Sequence, residues 1–199
     1  MSDFNFARYG SVFASVLTAA PLNELGPGKP ITVMKQPLDA LASPEALQAA
    51  FAPQQIVDYA MANACLAGLW LRFDFPDKSH TISQEIHNPT GSFWHGILHR
   101  REPDFDNAKY WFRHVGRHPV FVPLGGAARE IAAGTSSTER AAEFLMRQHD
   151  WDPIAFVDLV AAARRRSASE ELCRQIQRRE WELLFDFCYR AAVGKVRDE

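Results

Sequence analysis

Pairs of a capping residue and a proline recur along this sequence, and they mark the starts of helices. Ser43-Pro44, Asn88-Pro89 and Asp152-Pro153 each place a side-chain hydrogen-bond acceptor directly before a proline. The acceptor can bind free backbone N–H groups of a first helical turn, and proline is favoured at the first helical position. Strand patterns are few and short, at 31–34 and 120–122, and both lie beside prolines. The sequence therefore predicts an all-α fold with negligible strand.

These signals, together with apolar periodicity, predict about eight helices joined by short connections. The segment 53–73 is apolar nearly all round, which is typical of a buried central helix. The segment 118–126 is predicted to be a loop. The predicted helices are 44–51, 53–73, 89–102, 104–115, 126–133, 137–148, 153–163 and 169–193.

The chain length favours one domain. A chain of 199 residues can bury one substantial core but is short for two independent domains. We therefore expect a single all-α helical bundle over 1–199. Residues 1–42 are expected to be a loosely structured N-terminal segment that packs on the bundle.

Composition excludes several classes of partner. The formal net charge of −2 indicates no overall preference for nucleic acid or for an anionic membrane, and no apolar stretch is long enough to span a bilayer. The three cysteines form no CxxC pair and lie in apolar helical sequence, which favours buried thiols in a reducing compartment. We expect a cytoplasmic protein with no nucleic-acid or membrane partner.

One stretch, 92–118, carries most of the chemistry in the sequence. It contains four of the seven histidines, five of the 22 lysines and arginines, and six aromatic residues. Helical packing alone does not require so many titratable groups in one place, whereas ligand sites do. The sequence therefore predicts a small-molecule site in this stretch, between the helices 89–102 and 104–115.

A histidine pair is the core of the predicted site. His95 and His99 are four residues apart on a predicted helix, so their side chains share one face, and Glu102 follows on nearly the same stripe. Two imidazoles and one carboxylate can bind a divalent transition metal. The order is not the HExxH of metalloproteases, and the phosphate-binding and nucleophile motifs GxxxxGK[ST], GxGxxG and GxSxG are missing from the sequence.

Three interpretations of the pair stay open on sequence grounds. In the first, His95, His99 and Glu102 bind a divalent transition metal as cofactor. In the second, the histidines act without a metal, as acid, base or hydrogen-bond donors. In the third, they are structural, paired with neighbouring carboxylates or facing solvent.

The next predicted helix adds polar groups of different chemistry to one face. Tyr110 is a candidate catalytic residue beside His95, His99 and Glu102. Arginines near the pair favour an anionic ligand, although the alternative is a surface on which they neutralise nearby carboxylates. The candidate substrate-binding residues are Lys109, Arg113, Asn107, Arg101 and Trp94.

A carboxylate in the last helix points to the same region. Glu180 lies within an apolar stripe, where an unpaired charge is costly, so it should meet a partner from another segment. We expect it to reach the 92–118 cluster, with the alternative that Trp181 faces the core instead. Glu85 and His118 are further candidate supporting residues.

Two functions follow as hypotheses. The first is an enzyme acting on a small polar or anionic metabolite through this His/Arg/Glu-lined pocket, with or without a metal. The second is a non-catalytic ligand-binding or protein-interaction module that uses the same arginines and aromatic side chains, which are the residues that such interfaces favour.

Overall fold

A computed structural model describes residues 4–18, 20, 22–135, 143–163 and 169–195, and all regular structure in these ranges is helical. The all-α prediction is confirmed. The α-helices, in chain order, are α1 (Gly10–Thr18), α2 (Lys35–Asp39), α3 (Pro44–Ala50), α4 (Tyr59–Arg72), α5 (Pro76–Ser83), α6 (Pro89–Arg101), α7 (Phe105–Val115), α8 (Phe121–Ala133), α9 (Glu143–Arg147), α10 (Pro153–Ala163) and α11 (Glu170–Ala192).

Side-chain caps form at the predicted helix starts. Ser43 accepts a hydrogen bond from the backbone N–H of Ala46, Asn88 from that of Gly91, and Asp152 from those of Ile154 and Ala155. Each cap satisfies backbone donors that have no partner within the helix. The predicted beginnings of α3, α6 and α10 are therefore confirmed.

The described residues contain eleven α-helices, three more than predicted. The additional ones are α1, α2 and α5. The N-terminal segment, expected to be loosely structured, contributes α1 and α2, and its Phe13 and Leu38 have no exposed surface. Both strand candidates are also helical, since Thr32–Met34 is a 3-10 helix and α8 begins at Phe121. Of the helix predicted at 137–148, only Glu143–Arg147 falls within the described residues.

Two boundaries differ from the predictions for local reasons. The helix predicted to open at Pro53 begins at Tyr59, because Asp58 caps it and the Gln48 side chain binds the backbone of Gln54 and Ile56 outside the helix. The predicted loop 118–126 is largely the start of α8. Pro123 is tolerated there because it lies in the first turn, where an N–H group needs no partner within the helix.

Helix α6 is buried as extensively as the apolar helix α4, which its hydropathy did not predict. In α4, eleven of fourteen residues are buried, and in α6, eleven of thirteen, although α6 carries two histidines and two arginines. Small residues let α6 approach its neighbours closely. A Cβ atom on Gly68 of α4 would lie 2.7 Å from the Trp94 ring, and one on Gly96 would lie 2.8 Å from the Phe112 ring of α7.

Candidate functional site

Three imidazole rings meet where α5, α6 and α7 pack together. His95 and His99 project from one face of α6, and His80 comes from α5. The ring centroid of His80 lies 4.9 Å from that of His95 and 5.7 Å from that of His99, while the His95 and His99 centroids are 6.1 Å apart. We call these three residues the histidine cluster.

Hydrogen bonding fixes the tautomer of His95. Its Nδ1 atom lies 3.1 Å from the backbone oxygen of Gly91, one turn earlier in α6. A carbonyl oxygen only accepts, so Nδ1 carries the proton and Nε2 presents a lone pair. The residue is 1% exposed, and Nε2 has no hydrogen-bond partner among the described residues. Such unpartnered buried polar atoms are uncommon in folded proteins.

Trp111 of α7 covers the flat side of His95. The two ring centroids are 4.1 Å apart with an interplanar angle of 19°, which is a stacked arrangement. The stacking orients the imidazole plane and does not engage the in-plane nitrogen lone pair. His95 is therefore oriented by one backbone hydrogen bond and one aromatic contact.

His99 is oriented by side chains on both of its nitrogens. Its Nδ1 atom lies 3.1 Å from a carboxylate oxygen of Glu102, and its Nε2 atom lies 3.3 Å from Nδ2 of Asn107. In this pattern Nδ1–H donates to the carboxylate, and the Nε2 lone pair accepts from the amide of α7. Glu102 therefore contacts the ring on the side opposite the Nε2 lone pair.

Burial keeps both rings neutral at physiological pH. It lowers the pKa of His95 from 6.5 to about 4, and the neighbouring imidazoles act in the same direction. Burial also lowers the pKa of His99, against the opposing effect of the Glu102 and Asp104 carboxylates. His95 and His99 are thus neutral lone-pair donors, with the Glu102 and Asp104 carboxylates near His99.

Arg100 points away from the histidine cluster and into the core. It forms a bidentate ion pair with Glu180 of α11 and a further hydrogen bond to Gln177, and neither ion-pair partner has any exposed surface. Glu180 thus reaches the 92–118 stretch, as its place in an apolar stripe predicts, but it meets an arginine there. Trp181 is buried as well, so both side chains face the core and neither replaces the other there.

Arg101 is also engaged away from the histidines. It pairs with the Asp74 carboxylate at 2.5 Å and donates to the backbone oxygens of Leu71 and Gly26. The predicted use of Arg101 to hold a substrate would require breaking this buried network. Its observed role is to connect α6 to the end of α4 and to the N-terminal segment.

The other predicted site residues lie in different surroundings. Trp94 has no exposed surface and packs in the core beside Gly68, so it does not line an open pocket. His118 is buried, with Nε2 3.2 Å from the Thr90 hydroxyl. Lys109 pairs with Asp158 of α10.

Three further predicted residues are on the surface. Tyr110 is 50% exposed, and Arg113 and Glu85 are exposed as well. The pocket predicted between α6 and α7 stays a prediction. A small cleft lies elsewhere, lined in part by Arg72, Ile97 and Trp181.

Sequence reasoning missed His80 and Trp111 as members of the site. The predicted helices do not include 74–88, although Pro76 followed by Asp77 is a recognisable helix start, and α5 begins there. Trp111 lies at an apolar spacing in its helix, which is typical of a core residue. Its pairing with His95 depends on the register between α6 and α7, which hydrophobic periodicity does not specify.

No three histidine, cysteine, aspartate or glutamate side chains in the described part of the chain are arranged as a complete metal site. The predicted metal-ligand set of His95, His99 and Glu102 is therefore not assembled. Glu102 instead accepts a hydrogen bond from Nδ1 of His99. No helix in the described ranges is long and apolar enough to cross a membrane. The chain matches no family model, no curated protein and no solved structure.

Proposed function

We propose that this protein is an enzyme that acts on a small polar metabolite at the histidine cluster, with a divalent transition metal held by the Nε2 atoms of His95 and His99. The observation that carries the proposal is the buried, unpartnered Nε2 lone pair of His95, whose Nδ1–H is bound to the Gly91 carbonyl. Metal-binding histidines commonly donate their other ring N–H in this way, to a carbonyl or a carboxylate.

The protonation states support a metal ligand over an acid–base group. A general base works best when its pKa is near the working pH, whereas burial lowers the pKa of His95 to about 4. A neutral imidazole is the form that binds metals, and here it persists across the physiological pH range. The bound ion would supply Lewis-acid chemistry, while the protein residues orient the ligands and shield them from water.

The charges around the cluster support a cation more than an anion. Arg100 and Arg101 are neutralised by Glu180 and Asp74 on other faces of α6. Glu102 is the carboxylate that touches the cluster, through His99. Among the predicted anion-binding groups, Arg113 stays exposed on α7 and could still contact an acidic part of a substrate.

Calorimetric titration of chelator-treated protein with Zn²⁺, Co²⁺ and Ni²⁺ tests the metal part of the proposal. We expect one ion per chain, with His95→Gln and His99→Gln each weakening binding at least about tenfold. His114→Gln and His149→Gln are matched controls, because both side chains are exposed. Metal uptake that is weak in all proteins, or equal in wild type and His95→Gln, would exclude this site.

The second candidate function is a non-catalytic interaction module. The exposed side of α7 supports it, since the half-exposed Tyr110 stands beside the exposed Arg113 and His114. Tyrosine and arginine are enriched at binding hot spots. A Tyr110→Ala variant that keeps full metal affinity but loses a partner protein in co-purification would favour this function.

A further inference from the structure

We propose that Asn107 supplies an oxygen ligand to the metal, next to the Nε2 atom of His99. This inference rests on the metal site proposed above and adds to it a ligand from α7. The observation behind it is the 3.3 Å separation between His99 Nε2 and the side-chain amide of Asn107.

That separation matches two ligands of a single ion. Imidazole nitrogen and protein oxygen atoms bind Zn²⁺ at about 2.0–2.2 Å, so two such ligands at a tetrahedral angle lie roughly 3.4 Å apart. The amide of Asn107 already has this spacing from the His99 lone pair. Its nitrogen now donates to that lone pair, which cannot bind hydrogen and metal at the same time.

Rotation of the amide would resolve the conflict. A half-turn about the Cβ–Cγ bond exchanges the amide oxygen and nitrogen with little change in their positions. The oxygen would then lie where the nitrogen is, facing an ion bound to His99. Asn107 is partly exposed, so the turn needs no opening of the core.

The helix packing holds this residue in place. α6 and α7 run antiparallel, and the His95–Trp111 and His99–Asn107 contacts lie one helical turn apart along their interface. The Nδ1–H of His99 is bound to Glu102, which keeps the ring turned with Nε2 toward Asn107. The arrangement therefore brings together donor atoms from two helices, with His80 of α5 beside them.

Two variants separate a ligand from a residue that only orients His99. An orienting role needs the N–H donor of the amide. Because neither alanine nor aspartate supplies that donor, Asn107→Ala and Asn107→Asp should then both lower Co²⁺ affinity. A ligand role needs the oxygen, so Asn107→Asp should keep or increase Co²⁺ affinity while Asn107→Ala lowers it about tenfold or more. Asp106→Ala is the matched control, since Asp106 is exposed and adjacent in α7.

The experiment is a Co²⁺ titration of the full chain, followed by calorimetry and by visible absorption of the bound ion. Strong binding to wild type and Asn107→Asp, with weak binding to Asn107→Ala, supports the inference. Equal binding to wild type and Asn107→Ala, or equally weak binding to both Asn107 variants, overturns it and leaves the histidine site standing. A wild type that binds no Co²⁺ overturns both proposals.

Discussion

Arg100 and Glu180 form a bidentate ion pair between α6 and α11 in which neither side chain has any exposed surface. Their positions are 80 residues apart in the chain. The guanidinium also lies over the Phe156 ring of α10, with 4.8 Å from its central carbon to the ring centroid. One arginine thus connects three helices.

Removal of one partner of this pair should destabilise the fold strongly. Glu180→Leu leaves a buried guanidinium without its counter-ion, and such a change costs about 3–5 kcal/mol of unfolding free energy. The double variant Arg100→Met with Glu180→Leu should recover most of that loss, because it removes both charges. Urea unfolding of the three proteins measures the difference. A single variant within about 1 kcal/mol of wild type would contradict this account of the pair.

Gly96 should resist replacement by alanine. The added Cβ atom would lie 2.8 Å from the Phe112 ring, so α6 and α7 must separate, at a cost of about 1–3 kcal/mol. Gly126→Ala in α8 is the matched control, because a Cβ there meets nothing within 4 Å and should stabilise the helix by about 0.5–1 kcal/mol. Thermal unfolding compares them. Similar melting temperatures of the two variants would show that α6 and α7 can move apart at this contact at little cost in stability.

His118 should make the fold less stable in acid. Its Nδ1 accepts the backbone N–H of Val120, and burial lowers the pKa of His118 from 6.5 to about 4. Between these values the unfolded chain binds more protons than the folded one, so stability is complete above about pH 6.5 and falls as the pH drops toward 4. At pH 5 this one residue is expected to lower the free energy of unfolding by about 2 kcal/mol.

Urea unfolding at pH 7.5 and pH 5.0 measures that loss in wild type and in His118→Gln. Glutamine does not titrate, so the variant should lose less stability than wild type between the two conditions. An identical loss in both proteins would mean that His118 does not contribute to the acid sensitivity.

Glu102 should support metal binding without being a ligand. Its carboxylate accepts from Nδ1–H of His99, and removing such a partner typically lowers metal affinity by 10–100-fold. Glu102→Gln is the variant to titrate with Co²⁺, and Glu85→Gln is its control, because Glu85 is exposed on the neighbouring surface segment. Equal affinity in both variants would argue against an orienting role for Glu102.

The sequence was most informative where local chemistry decides the structure. Helix starts such as Asn88-Pro89 depend on a few adjacent residues, and they form where predicted. The i, i+4 geometry also brought His95 and His99 onto one face of α6. These are short-range effects, because a cap or a helical turn is complete within four residues.

The sequence was less informative where distant segments meet. The sequence predicts that Arg101 binds a substrate, yet Arg101 pairs with Asp74, and its neighbour Arg100 pairs with Glu180. His80 joins the site only because α5 packs against α6. Such pairings depend on helix register and tertiary contacts, which the composition of a single segment does not reveal.

The two buried ion pairs of α6 have a consequence for the histidines. The side chains of Arg100 and Arg101 leave α6 about 100° apart. Their ion pairs with Glu180 and Asp74 therefore hold the helix from two sides and fix its rotation about its own axis. The direction in which His95 and His99 face is thereby set by charges outside the site. Substitution of Asp74 or Glu180 is therefore expected to change the orientation of His95 and His99 without altering either histidine.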